Sequence, residues 1–60
     1  MKPGDRVRIN IPTHPIHGSE GTIVKQDENE WDEGQVVWIV KLDSFRRLVG
    51  IDETELEHGA

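Results

Sequence analysis

Histidines are the residues best suited to chemistry in this 60-residue chain, which contains no cysteine and no tyrosine. His14 and His17 lie close together, and with His58 or an acidic side chain they could in principle bind a metal ion. A closed zinc site needs four ligands of defined geometry, and Pro15 argues against a helical arrangement of the pair. We therefore interpret these as solvated loop histidines, and we expect no metal and no cofactor.

The acidic segment 27–34 has calcium-like ligands, but its glycine falls late and the EF-hand spacing is absent. It is interpreted as a solvated acidic loop, or as a docking surface for a basic partner. Ser19 and Ser44 lie in predicted turns, and no histidine is spaced to activate either of them. No phosphate-binding glycine loop is present. The chain is therefore predicted not to be an enzyme.

Large apolar side chains outside the predicted core are the better candidates for function. Trp31, within the acidic loop, either folds back to cap the open end of a barrel or contacts a partner. Phe45 occupies a predicted turn where glycine or asparagine is preferred, so it either anchors a partner, together with its basic neighbours, or folds back onto the sheet. The predicted partner-binding residues are Trp31, Val37, Ile39, Phe45, Arg46 and Arg47.

Charge and hydropathy limit the classes of partner. The chain has 7 Lys and Arg residues and 12 Asp and Glu residues. The resulting net charge of −5 disfavours purely electrostatic binding to nucleic acid. The longest apolar run, 36–40, is far shorter than the roughly 20 residues of a membrane span, and the first residues lack the apolar region of a signal peptide. A soluble, cytoplasmic protein is the resulting expectation.

Proline and glycine divide the chain into short segments rich in β-branched residues, which predicts an all-β fold. The tail forms a short 3-10 turn, and the third and fourth strands form an antiparallel hairpin. A single domain over 1–57 is predicted, with 58–60 as a tail. The predicted strands cover 6–9, 21–25, 35–42 and 46–51, with a last short strand around Leu56.

Alternation along these strands predicts the core. Leu48 and Val49 are adjacent, so only one of them can face it, and Val37 and Ile39 should point outward. A core of this size makes the monomer marginal, which closure into a barrel or an obligate partner, a second copy included, would offset. The predicted core consists of Val7, Ile9, Ile23, Val36, Trp38, Val40, Leu42, Ile51 and Leu56.

Three short phrases of the sequence resemble those of small SH3-like barrels. Segment 2–9 contains the "G-D-x-V" phrase that begins their first strand, 17–24 resembles the "G-x-x-G-x-V" phrase of KOW-type elements, and 40–57 resembles their closing hairpin and terminal "E-L" strand. The resemblance covers about residues 2–57. It implies a five-stranded SH3-like barrel with a 3-10 turn before the last strand.

Among such barrels the chain resembles accessory subunits: the stromal E subunit of photosystem I, the variable chain of ferredoxin–thioredoxin reductase and NifZ-type proteins. This resemblance implies a non-catalytic module that docks on, or braces, a larger protein. The KOW-type phrase implies an alternative, an RNA-binding or ribosome-binding module. The opening strand also resembles that of plasmid-encoded dihydrofolate reductases, although no counterpart of their pore-lining strand is present. The basic residues available to RNA would be Lys2, Arg6, Arg8, Arg46 and Arg47.

Overall fold

One antiparallel β-sheet organises the chain in the computed structural model, which describes residues 1–28, 34–44 and 46–59. No helix in this described part is long and apolar enough to cross a membrane. A short 3-10 turn, η1, covers Glu53–Glu55. The five strands are β1 (Arg6–Ile9), β2 (Glu20–Gln26), β3 (Val37–Leu42), β4 (Leu48–Asp52) and β5 (Leu56–His58).

The strands lie in the order β4-β3-β2-β1-β5, so the last strand returns to pair with the first. β3 and β4 form the predicted hairpin, whose turn includes a hydrogen bond of 3.2 Å from the Arg46 amide to the Leu42 carbonyl. The all-β prediction, the hairpin and the 3-10 turn before the last strand are confirmed. β4 and β5 form the two edges and do not pair with each other in the described residues, so the sheet is not closed.

The core lies on one face of this sheet. Burying each aliphatic side chain stabilises the fold by about 1.5–3 kcal/mol. β1 and β3 contribute alternate residues to the core, and β2 contributes Ile23. Val36 and Val49 are half-buried and pack against this cluster, whereas Leu48 points away from it, as the adjacency of Leu48 and Val49 required. The buried cluster consists of Val7, Ile9, Ile23, Trp38, Val40, Leu42, Ile51 and Leu56.

Val37 corrects one expectation. It lies on the face opposite Trp38 and Val40, as alternation predicts, but only 4% of it is exposed. A Cβ atom built on Gly50 would lie 3.5 Å from Cγ1 of Val37, so this valine packs next to the bare backbone of β4. The prediction that Val37 is exposed for a partner is therefore wrong.

β2 contains a close backbone approach at Gly21 and a bulge. A Cβ atom on Gly21 would lie only 2.5 Å from the carbonyl oxygen of Lys41 in β3. Ile23 pairs with Val40 and Lys25 with Ile39, so Val24 is an additional residue without a partner in the register. Such a bulge bends a strand and increases its twist. β2 is thus the strand that bends the sheet around the core.

Candidate protein-docking surface

The predicted partner-binding residues have different outcomes. Trp31 and Phe45 lie outside the described residues. Ile39 is half-buried, on the face opposite the core, and Arg46 and Arg47 are exposed at the end of the β3–β4 hairpin. Among the predicted partner-binding residues that the structure describes, Ile39, Arg46 and Arg47 are therefore the ones at the surface.

The hairpin end presents two cations. Arg46 has a left-handed backbone with φ of 48°, which non-glycine residues seldom adopt, and the Leu42 amide donates to the Arg47 carbonyl at 3.0 Å. Neither guanidinium forms a hydrogen bond or an ion pair with another described residue. Both charges are therefore available to an external partner.

Leu48 is the functional candidate that sequence reasoning missed. It follows the two arginines directly and is 58% exposed, the largest value among the exposed large apolar residues of the described chain. The register pairs Leu48 with Lys41 and Gly50 with Ile39, and opposite residues in an antiparallel ladder share a face. We call Ile39, Leu48 and Gly50 the outer patch. The sequence feature that could have identified Leu48 is its adjacency to Val49, because neighbouring residues in a strand point to opposite faces and one of them must point away from the core.

A groove runs along the start of β4, beside the outer patch. Its volume is about 540 Å³, and His14, Pro15 and Ile16 form its far wall. The wall is held in a turn in which the Ile16 amide donates to Nδ1 of His14 at 3.2 Å. Leu42 and Val49 line the same groove. An apolar side chain of a partner could therefore enter it from the edge of the sheet.

The other arginines are already paired. Arg6 donates from Nη1 to Oδ1 of Asp43 at 2.9 Å, and to the Thr22 hydroxyl at 3.0 Å. Arg8 donates to Oε1 of Glu20 at 3.2 Å. The hydrogen bond from Arg6 lowers the pKa of Asp43, and burial opposes it only in part. Arg6 and Arg8 are thus compensated by carboxylates of the same chain.

The histidines do not gather into a metal site. His14 and His17 lie in exposed turns, and His58 lies in β5. In residues 1–28, 34–44 and 46–59, no three histidine or acidic side chains come together in a way that would hold a metal ion. Ser19 and Ser44 lie outside the strands, as expected.

Comparison with known proteins does not add a relative. No protein-family model, no curated protein and no solved structure matches this chain. The resemblance to SH3-like barrels therefore depends on the sequence phrases, and the functional argument depends on the surface. On that surface, the exposed leucine beside two unpaired cations is the feature best suited to binding.

Proposed function

We propose that this chain is a non-catalytic accessory module that docks on a larger protein complex through its outer patch. The observation that carries the proposal is Leu48, exposed and directly preceded by Arg46 and Arg47. Apolar and arginine side chains together are typical of the centres of protein interfaces. Trp31 and Phe45 are proposed as further contacts of the same partner.

An SH3-like barrel is the proposed architecture. Its support is the strand order, in which β5 returns to β1, and the position of η1 between β4 and β5. The bulge at Val24 supports it further, because bending of β2 is what would curl such a sheet toward a barrel. This architecture would display the β3–β4 hairpin at one end of the module.

The chemistry of the patch defines the partner. Lys41 pairs with Leu48, and Arg46 and Arg47 precede Leu48 in the chain, so a complementary surface would present an apolar side chain with carboxylates near it. Nucleic acid is the less suitable partner. Two of the five basic residues that it would need, Arg6 and Arg8, are paired with Asp43 and Glu20.

Affinity capture from native lysate tests the proposal. The wild-type chain should retain a stoichiometric protein after nuclease treatment, and Leu48→Ser should lose it because the exposed apolar anchor is removed. Val24→Ser is the matched control, since Val24 is 43% exposed but lies at the β2 bulge. Both variants should remain folded.

Two results would contradict the proposal. Equal recovery of the partner by Leu48→Ser and the wild type would exclude the outer patch. Loss of all captured proteins on nuclease treatment, with binding that weakens steeply as salt rises, would indicate an RNA partner instead.

A further inference from the structure

The outer edge of β4 carries unpaired backbone groups. The Leu42 amide donates to the Arg47 carbonyl, and the Glu53 amide donates to the Val36 carbonyl. These bonds show which opposite residues of the β3–β4 ladder are the hydrogen-bonded pairs. Because hydrogen-bonded pairs alternate in an antiparallel ladder, Val49 and Ile51 direct their backbone groups toward β3. Leu48 and Gly50 therefore direct theirs away from the sheet, and no strand in the described chain pairs with them.

Most of this edge lacks the features that usually protect a sheet edge, since the one charged residue of β4, Asp52, is its last residue. Natural edge strands carry charges, prolines or bulges that prevent pairing with another chain. The stretch from Leu48 to Ile51 has none of them, and the register shows no bulge in it. The opposite edge differs, because β5 is only three residues long and contains Glu57 and His58. β4 is thus the edge that is available to another strand, which would enter the groove between β4 and the wall formed by His14, Pro15 and Ile16.

The sequence around β4 is complementary to itself in the antiparallel direction. Arg46 and Arg47 precede the strand, Asp52 is its last residue and Glu53 follows it. A second β4 running in the opposite direction places its acidic end against the basic end of the first. With a two-fold axis at Val49, Leu48 faces Gly50 of the other copy, and both present free backbone groups.

We propose that two copies of this chain associate through antiparallel pairing of their β4 edges, centred on Val49. Leu48 of each copy then covers the bare backbone at Gly50 of the other, a position next to Ile39. The two outer patches become one continuous surface on a shared sheet. The inference is independent of the proposed docking function, because it concerns the purified chain alone.

Sedimentation of the purified chain across a concentration series, up to about 1 mM, tests the association. The wild type should convert from monomer to dimer. Gly50→Pro should remain a monomer, because proline removes the amide that faces the second copy while leaving the β3–β4 ladder intact. Gly50→Ala is the matched control and should still dimerise, since its methyl group would meet only ordinary contacts of 3.5 Å or more.

A second edge variant and a charge variant complete the test. His58→Pro, on the outer side of β5, should dimerise like the wild type. Reversal of both hairpin charges, R46E with R47E, should weaken the dimer roughly tenfold, because like charges then meet at each end. Amide exchange at Leu48 and Gly50 should slow as the wild-type concentration rises.

Several outcomes would overturn the proposal. A wild type that stays monomeric over the whole series would do so, as would a folded Gly50→Pro variant that dimerises normally. Loss of the dimer in His58→Pro would assign the contact to β5. If Gly50→Pro does not fold, amide exchange in the wild type becomes the test of the contact. Exchange rates at Leu48 and Gly50 that do not change with protein concentration would refute it.

Discussion

Replacing Gly21 with alanine is the most direct test of how the strands pack. The added Cβ atom would lie 2.5 Å from the Lys41 carbonyl oxygen and 2.8 Å from Cγ1 of Val40. The first neighbour is backbone in the middle of a paired strand, so it cannot rotate away as a flexible side chain can. Relief of the contact requires β2 and β3 to separate, although Gly21 pairs with both Val7 and Leu42.

The size of the effect follows from this geometry. Extra methyl groups in a well-packed interior cost about 1–3 kcal/mol, and a clash with backbone should reach the upper part of that range. In a domain of this size, each 1 kcal/mol lowers Tm by roughly 4–8 °C. Gly21→Ala should therefore lower Tm by about 10–20 °C.

Thermal and urea unfolding, followed by Trp fluorescence, would measure this cost. Gly50→Ala is the control, because its Cβ atom meets Val37 and Ile39 at 3.5 Å and 3.8 Å, which are ordinary contact distances. It should leave the free energy of unfolding unchanged or raise it by about 0.4–1 kcal/mol, since alanine restricts the unfolded chain. Equal stability of the two variants would refute the close approach of β2 and β3.

Two further predictions concern carboxylates. Asp52 caps η1 by accepting from the Thr54 amide at 2.8 Å, so Asp52→Ala should lower the midpoint of urea unfolding, and an unchanged midpoint would exclude the cap. Hydrogen bonds from Thr54 to Asp52 and from Arg6 to Asp43 lower the pKa of both carboxyl groups below the usual 3.8. Their contribution is present above that pH and is lost as pH falls through the lowered pKa values, so urea unfolding should show decreasing stability below about pH 4. Arg6→Gln should flatten this decrease, and an identical pH profile would contradict the role of the Arg6–Asp43 pair.

Much of the fold was predictable because short β-branched segments between glycines and prolines allow few alternatives. β1 begins and ends at the predicted residues, and β5 falls around Leu56 after the predicted turn. Closure of the sheet was not predictable in the same way. It depends on how strongly β2 bends, and the bulge at Val24 promotes that bend. The bulge shifts the alternation of side chains along β2, but no unusual residue type marks its position in the sequence.

The docking surface was less predictable than the core. Alternation states which face a side chain is on, but not whether that face is covered. Val37 was assigned to the correct face and is nevertheless buried, and its Cγ1 lies 3.5 Å from the position that a Cβ atom on Gly50 would occupy. Leu48 is 58% exposed, and no strand of the described chain pairs with the outer side of β4. Exposure at both positions depends on what lies beside each strand in the folded sheet. Alternation within one strand does not contain that information.

The return of β5 to β1 has a consequence for the order of folding. β3 and β4 are joined by a tight turn, so their contact closes a short loop, whereas the pairing of Val7 with His58 joins opposite ends of the domain. Loop closure of that length carries a larger entropic cost and should come late. Until it occurs, β1 has an unpaired edge, so a partly folded chain exposes β1 as well as β4 to other strands. Substitutions in β5 should therefore affect aggregation during refolding more than they affect the rate at which the hairpin forms.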